Sequence, residues 1–306
     1  MTNKILLVTI GSVLLIILVG CLIFFYISVI HPGKSNYDVW SMPQMKVNFE
    51  KYINSDEYDH PIGVPILYIN MDRSKKRREF MEQQLSLLSS DYERTPGVDG
   101  KKLLSITHGK ANNISFQNNY ELTFSELGCT LSHVMAAKRV LERDLEVALI
   151  MEDDCIGYLL PYWKTTISQI MQKAPDDWEI IQLFGGNCMF NTTTELFFSN
   201  HSCWSTVAYL LRKSGAISIL KTCGIDSRQL VNNQTIKLGP KKTGRKIPRR
   251  GLADTFIYEA AKTYVYSKPL FFCGDEFLES TIHRSHENGH IAEVKRLISL
   301  YKNKKI

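Results

Sequence analysis

Short apolar runs alternate along most of the chain with segments whose apolar residues recur at helical spacing. The runs have the length of buried strands, and the clearest of them are 64–70, 147–151 and 178–184. Segment 121–144 has the helical spacing, with one apolar stripe made by Leu127, Leu131, Val134 and Leu141. Strands that alternate with helices predict an α/β fold with a mostly parallel central sheet, covered on both faces.

The N-terminal segment has a different pattern, because residues 5–30 contain no charged side chain. A helix of about 20 apolar residues spans a bilayer, whereas a cleaved signal peptide has a shorter apolar core. We therefore expect a transmembrane signal anchor at 5–30, after a cytosolic tail at 1–4. Residues 31–63 are polar and turn-rich and predict a stem. Residues 64–306 then form the folded domain of a single-pass type II membrane protein, facing the lumen of the ER or Golgi.

Composition adds two constraints. Hydrophobic residues make up 44% of the chain and charged residues 22%, which predicts a folded core. The net charge of +6 suits an anionic ligand but does not indicate nucleic acid binding.

Four N-x-[ST] sequons fit a glycoprotein, at Asn113, Asn191, Asn200 and Asn233. The seven cysteines show no CxxC or Cys/His spacing typical of zinc sites, and they leave open whether they are buried thiols or a disulfide framework.

Three acids, Glu152, Asp153 and Asp154, come directly after the apolar run 147–151. Ligands of parallel sheets bind beyond the carboxyl ends of the strands. In an extended segment Glu152 and Asp154 would point to one side and Asp153 to the other. Two carboxylates on one side suit a hard divalent cation, Mg²⁺ or Mn²⁺. The alternative is an acidic turn that caps the following helix.

Several segments of the chain resemble glycosyltransferase family 25, the lipopolysaccharide-type and procollagen-type sugar transferases. The most specific resemblance is "GCTLSHVMAAKRVLE" followed by "ALIMEDD". Weaker matches are "YINMDRSKKRREFMEQQL", "ERTPGVDGKKL", "VAYLLRKSGAISIL" and "ADTFIYEAAKTYVYSKPLFF". The resemblance covers about 64–280 and departs from the family at the loop 225–250, which carries seven basic residues between Lys237 and Arg250.

The resemblance implies a GT-A type domain, a nucleotide-sugar donor and a metal motif similar to D-x-D. Asp154 would then be the main ligand of Mn²⁺ or Mg²⁺, assisted by Glu152, and Asp153 would contact the donor. It also implies that Asp72, Arg73 and Arg77 lie near the nucleotide, with Arg77 on the diphosphate. Ser132 and His133 would line the donor pocket. For Arg77 the alternative is a solvated helix face, and for His133 a buried structural role.

Transfer of a sugar needs a base for the acceptor hydroxyl. The resemblance favours Asp254, with Glu259 as the second candidate. Asp254 could instead cap the segment "TFIYEA". His283 or His286 could add a metal ligand, although both also suit an exposed loop.

Together these features predict a metal-dependent glycosyltransferase that moves a hexose, galactose or glucose, from a UDP-sugar to a hydroxyl of a glycan, lipid or protein. An alternative is a membrane-anchored binding or assembly protein that keeps the fold without catalysis. A metal-dependent phosphohydrolase would use the same acids, but it normally needs further Asp/His clusters for two metals. The sequence shows none.

Overall fold

The computed structural model describes residues 42–102, 114–116, 123–185, 196–198, 203–223, 236–238, 252–274 and 287–302. The chain divides into two units, 1–47 and 48–306, and the architecture below is that of the second unit. In the described residues no helix is both long and apolar enough to cross a bilayer. The predicted anchor at 5–30 lies outside these residues, as do the loop 225–250 for most of its length, His283 and His286.

Helices and strands alternate as the sequence predicts. The helices are α1 (Met42–Ile53), α2 (Lys75–Leu88), α3 (Phe124–Glu142), α4 (Ile167–Lys173), α5 (Lys213–Thr222), α6 (Ala253–Ala260) and α7 (Glu287–Lys302). The strands are β1 (Ile66–Asn70), β2 (Tyr92–Pro96), β3 (Ile114–Phe116), β4 (Val147–Glu152), β5 (Cys155–Ile156), β6 (Ile180–Gln182), β7 (Leu196–Phe198), β8 (Ala208–Arg212), β9 (Ile236–Leu238), β10 (Thr263–Tyr266) and β11 (Phe272–Cys273).

Seven of the described strands form one sheet in the order β2-β1-β4-β8-β6-β10-β7. The pairs β1–β2, β1–β4 and β6–β10 are parallel, whereas β8 runs against β4 and β6, and β7 runs against β10. Five strands therefore share one direction, which confirms the predicted α/β fold with a mostly parallel sheet. The carboxyl ends of β1 and β4 meet at the same edge, with Ile69 paired to Glu152.

Three helices, α3, α5 and α6, pack together over the sheet. Their apolar faces and the strands share one core, which includes Leu131, Val140, Ile150, Leu211, Ile219 and Ile257. Helix α3 begins at Phe124 because Thr123 and Glu126 form a capping box, in which each side chain accepts from the backbone N–H of the other. This long helix presents its inner face to the edge where β1 and β4 end.

Residues 48–63, which the sequence places in a stem, pack onto the domain. The ring of Phe49 lies 5.3 Å from the ring of Tyr158, and the side chain of Phe49 is 1% exposed. The backbone N–H of Ile167 donates to the carbonyl of Pro61 at 2.8 Å. These contacts bind the segment to Tyr158, which follows β5, and to the start of α4.

Candidate functional site

The three acids lie at the end of β4. The strand ends at Glu152, and Asp153 and Asp154 belong to a turn, so the strand alternation does not extend to them. Arg77 Nη1 donates to Asp153 Oδ1 at 2.7 Å and to Asp154 Oδ2 at 3.1 Å. The three side chains are only 11–13% exposed. Asp153 and Asp154 therefore share a partner, which differs from the expected pairing of Asp154 with Glu152 opposite Asp153.

Asn70 connects the two strand ends. Its Nδ2 donates to Asp153 Oδ2 at 2.7 Å and to the carbonyl of Ser74 at 3.1 Å. Its Oδ1 accepts from Arg94 Nε at 3.0 Å. Asn70 is 1% exposed, so these bonds are buried. They fix the turn that carries Asp153 against the loop that leads into α2, where Arg77 lies.

Glu152 points into a separate polar network under α3. Its Oε1 accepts from the hydroxyl of Thr206 at 2.5 Å and lies 3.2 Å from His133 Nε2. The other ring nitrogen of His133, Nδ1, is 3.1 Å from the hydroxyl of Tyr209. His133 and Tyr209 are both fully buried. Glu152 is thus held from three elements: its own strand, α3, and the loop that enters β8.

Burial acts differently on the ionisation of these acids. Desolvation raises the pKa of Asp153, and the charge and hydrogen bond of Arg77 offset this only in part. Desolvation also opposes ionisation of Glu152, but the contacts with His133 and Thr206 outweigh it, so that the pKa of Glu152 is lowered. Glu152 is therefore the acid of this pair that is more firmly ionised near neutral pH.

Gly128 and Ser132 dock α3 against the loop after β2. A Cβ atom at Gly128 would lie 2.6 Å from the carbonyl oxygen of Val98 and 2.9 Å from the nitrogen of Gly100, so only glycine permits this approach. The hydroxyl of Ser132 donates to the carbonyl of Gly128 at 2.6 Å and accepts from the N–H of Val98 at 2.8 Å. Both hydrogen-bonding roles of this hydroxyl are therefore structural.

An open pocket lies between α2, α3 and the ends of β1 and β4. Most of the predicted site residues line it, namely Arg73, Arg77, Ser132, His133, Glu152, Asp153 and Asp154. Arg73 also forms an ion pair with Asp99. Asp72 is not among the described residues of the lining: its side chain is 74% exposed and pairs with Arg94 at 2.5 Å.

Asp254 lies in the first turn of α6, also outside the described lining of the pocket. The N-cap of α6 is Leu252, so Asp254 does not cap the helix as the alternative interpretation suggested. Its carboxylate accepts from the N–H of Thr255 at 2.8 Å and from that of Ser205 at 3.4 Å. Burial raises its pKa, and the charge of Glu152 adds to the effect. Glu259 lies at the other end of α6.

The donor set fits a hard divalent cation. Three carboxylates line the pocket: Arg77 pairs with Asp153 and Asp154, and His133 faces Glu152. Oxygen ligands of this kind are those that Mg²⁺ and Mn²⁺ take. A second group of potential ligands, Cys129, His133 and Glu152, has its ligand atoms within 4.8 Å of one another.

Sequence reasoning missed the residues that support the acids from a distance. Asn70 ends an apolar run, which is where residues that bind ligands at the carboxyl end of a strand are expected. Nothing in the sequence pairs it with Asp153. Thr206, in the loop that enters β8, and Tyr209, in β8, reach Glu152 and His133 from more than 50 positions away in the chain. Cys129 had a detectable signal, because it precedes His133 by one helical turn.

The cysteines divide into two groups. Cys129, Cys155, Cys223 and Cys273 are not in disulfides, whereas Cys203 is disulfide-bonded. The two alternatives that the sequence left open are therefore both represented among the described residues.

The fold and the pocket define an α/β protein with an acidic ligand site at the carboxyl edge of its sheet. Residues 64–225, more than half of the chain, match the family model described as glycosyltransferase family 25 (LPS biosynthesis protein). The chain therefore belongs to glycosyltransferase family 25, as its sequence motifs predicted. Asp254 lies beyond the matched range.

Curated relatives agree with this assignment. A glycosyltransferase 25 family member of Drosophila melanogaster is 26% identical over 229 residues, which cover 69% of this chain and 36% of the relative. Its counterpart in Drosophila pseudoobscura pseudoobscura is 27% identical over 198 residues, 60% of this chain and 31% of the relative. Procollagen galactosyltransferase 2 of Mus musculus is 34% identical over 128 residues, 39% of this chain and 20% of the relative. The chain thus matches about a third or less of each of these proteins.

Proposed function

We propose that this protein is a metal-dependent transferase of GT-A type that moves a hexose from a UDP-sugar to a hydroxyl acceptor. The observation that carries the proposal is the pocket at the ends of β1 and β4, in which two arginines and three carboxylates lie together. A nucleoside diphosphate needs cationic groups, and a divalent cation that bridges to it needs oxygen ligands. The pocket offers both kinds of group to one ligand.

The relatives support the choice of sugar. Several of those that match are procollagen galactosyltransferases, with 34% identity in the mouse protein and 30% in one from Xenopus laevis. Galactose is therefore the first donor sugar to test and glucose the second. The acceptor is a hydroxyl of a protein, glycan or lipid.

Each side chain has a proposed task. Arg73 and Arg77 bind the diphosphate, and Asp153 binds the donor while Asn70 holds it in place. Glu152 and Asp154 hold Mn²⁺ or Mg²⁺, which when bound would stabilise the negative charge of the departing diphosphate. Ser132 and His133 shape the pocket wall. Ser132 does so through its bond to Val98, which brings the loop after β2 against α3.

Asp254 is the proposed base for the acceptor hydroxyl. Its raised pKa makes it a stronger base than an ordinary aspartate, which suits proton removal from a hydroxyl near neutral pH. The charge of Glu152 contributes to the raised pKa, so the two carboxylates lie close enough to interact. An acceptor that reaches both Asp254 and the donor would approach along the loop at Ser205 and Thr206.

We also propose that residues 5–30 anchor the protein in the membrane and that the domain faces the ER or Golgi lumen. The uncharged segment supports the anchor. The disulfide at Cys203 supports an oxidising compartment. Glycosidase treatment of the protein made in cells would test this placement, because lumenal sequons become glycosylated and cytosolic ones do not.

The test of function is a panel of nucleotide sugars assayed for metal-dependent release of UDP by the purified protein. We expect turnover with UDP-galactose or UDP-glucose in Mn²⁺, loss of turnover in a chelator, and a loss of at least about 100-fold in Asp154→Asn. Asp177→Asn is the matched control, because Asp177 is 61% exposed and is not among the described residues that line the pocket. The control should keep full activity.

Two results would contradict the proposal. If Asp154→Asn retained full metal-dependent turnover, the acids would not be the metal site. If the wild type bound UDP but released none from any donor, with or without acceptors, the non-catalytic binding protein would be the better description.

A further inference from the structure

We propose that Cys129, His133 and Glu152 form a second, softer metal site that binds Zn²⁺. Neither the resemblance nor the comparisons assign Cys129 a role. The thiol, the imidazole and the carboxylate converge within 4.8 Å of one another, from one face of α3 and the end of β4. All three residues line the pocket, so an ion can reach them from solvent.

The spacing of the ligands follows from the helix. Cys129 and His133 are four residues apart in α3, so their side chains lie one above the other on the same face. Glu152 faces them from the sheet, with Oε1 at 3.2 Å from Nε2. A tetrahedral zinc ion with Zn–N of about 2.0 Å and Zn–S of about 2.3 Å separates its N, O and S ligand atoms by roughly 3.3–3.5 Å. The longest separation in the group, up to 4.8 Å, therefore needs to contract by about 1.3 Å at most.

Outer contacts hold two of the ligands in position. Nδ1 of His133 lies 3.1 Å from the hydroxyl of Tyr209, which is fully buried. When this contact takes the Nδ1 proton, Nε2 presents its lone pair towards Glu152. Thr206 holds Oε1 of Glu152 at 2.5 Å. Partners of this kind fix the tautomer and orientation of ligands in known metal sites.

The chemistry of the donors separates this site from the one proposed for Mn²⁺. A thiolate and an imidazole select Zn²⁺ over hard ions, whereas Asp154, the partner of Glu152 in the site proposed for Mn²⁺, offers only oxygen. The thiolate of Cys129 and the carboxylate of Glu152 neutralise a divalent ion. Three protein ligands leave a fourth position for water or substrate on the side of the pocket.

The two sites share Glu152, which has a consequence for activity. This step rests on the proposed function. Zn²⁺ bound by Cys129 and His133 withdraws Glu152 from the hard-metal site, so we expect micromolar Zn²⁺ to inhibit Mn²⁺-dependent transfer in the wild type and not in Cys129→Ser.

Binding itself is tested without donor or acceptor, with Co²⁺ as a spectroscopic stand-in for Zn²⁺. The full chain, purified in detergent, is titrated with Co²⁺ and its absorbance is recorded. We expect a near-ultraviolet thiolate-to-cobalt band at one ion per chain, and we expect Zn²⁺ to abolish it by displacement. Cys129→Ser should lose the band, and His133→Gln should weaken Co²⁺ binding by at least tenfold.

Cys223→Ser is the control, because Cys223 is also a free thiol but is buried at the end of α5. It should keep the band, and the circular dichroism of all three variants should match the wild type. A wild type without the band, or a Cys129→Ser protein that keeps it, would overturn the site. Because the readout needs no turnover, the band can appear even if the protein fails to transfer sugar, and activity can persist even if the band is absent.

Discussion

The strongest test of the acidic site is the substitution Arg77→Ala, which removes the positively charged side chain that pairs with the acids. One nitrogen of Arg77 holds both Asp153, at 2.7 Å, and Asp154, at 3.1 Å. The arginine is 11% exposed and the two carboxylates 11% and 13%. After the substitution two neighbouring carboxylates would lie in a largely buried turn without this partner. We therefore expect the variant to be less stable than the wild type.

The size of the expected loss of stability follows from the distances between Arg77 and the two carboxylates. At about 3 Å and an effective dielectric constant of about 20, each contact is worth roughly 5 kcal/mol of Coulomb energy. The cost of burying the charges cancels a large part of this, whereas breaking a buried pair on one side costs about 3–5 kcal/mol. Water can enter the open pocket and soften the loss, so we expect about 3 kcal/mol for Arg77→Ala.

The loss of stability in Arg77→Ala should depend on pH. Burial already raises the pKa of Asp153 in the presence of Arg77, and without the arginine it rises further. A folded-state pKa above the unfolded value means that the folded form takes up a proton, so stability rises as pH falls through that pKa. The deficit of the variant, measured by urea unfolding, should therefore be largest at about pH 7.5 and shrink towards about pH 5.

The neighbouring residue supplies a matched control. Arg78 is 49% exposed and pairs with Glu82 one helical turn away. Such exposed pairs contribute little to stability, so Arg78→Ala should unfold almost like the wild type at both pH values. If the two variants differed in stability by less than about 0.5 kcal/mol, the contact of Arg77 with the acids would not be the one that neutralises them.

Three further predictions follow from the same geometry. Millimolar Mn²⁺ should raise the melting temperature of Arg77→Ala more than that of the wild type, because the ion takes over the lost neutralisation; equal shifts in a thermal scan would contradict this. Asp254→Asn should lower kcat by about 10²–10⁴-fold and abolish the acid limb of the pH–rate profile, with UDP affinity unchanged; an unaltered profile would exclude Asp254 as the base. Gly128→Ala should destabilise the fold by about 1–3 kcal/mol in urea unfolding, since its Cβ would meet the carbonyl oxygen of Val98 at 2.6 Å; wild-type stability would show that the loop after β2 can move away.

Local patterns in the sequence were enough for the framework of the fold. The apolar run 147–151 becomes β4, and the stripe of segment 121–144 becomes α3. Both are set by short-range physics: an apolar run needs burial, and the capping box at Thr123 fixes where the helix begins. The position of the acids at a sheet edge follows directly, because the edge is where a buried strand ends.

The arrangement within the site depends on contacts that no local pattern contains. Asp153 and Asp154 lie in a turn, so strand periodicity does not apply to them, and their common partner Arg77 comes from another element. Asp254 is placed by the loop at Ser205, whose backbone N–H reaches it across 49 positions in the chain. Sequence spacing carries no information about such pairs.

The end of β4 separates two chemical environments over three residues. On one side Arg77 compensates Asp153 and Asp154 and makes that region suited to phosphate oxygens and a hard ion. On the other side, Glu152 is held by His133 and Thr206, and these contacts lower its pKa against the effect of burial. Glu152 is the last residue of β4 and therefore lies next to both environments. A ligand that neutralises Glu152 from the α3 side must weaken the attraction of the three acids for a cation on the Arg77 side. Competition between two kinds of metal is therefore the direct electrostatic consequence of how this strand ends.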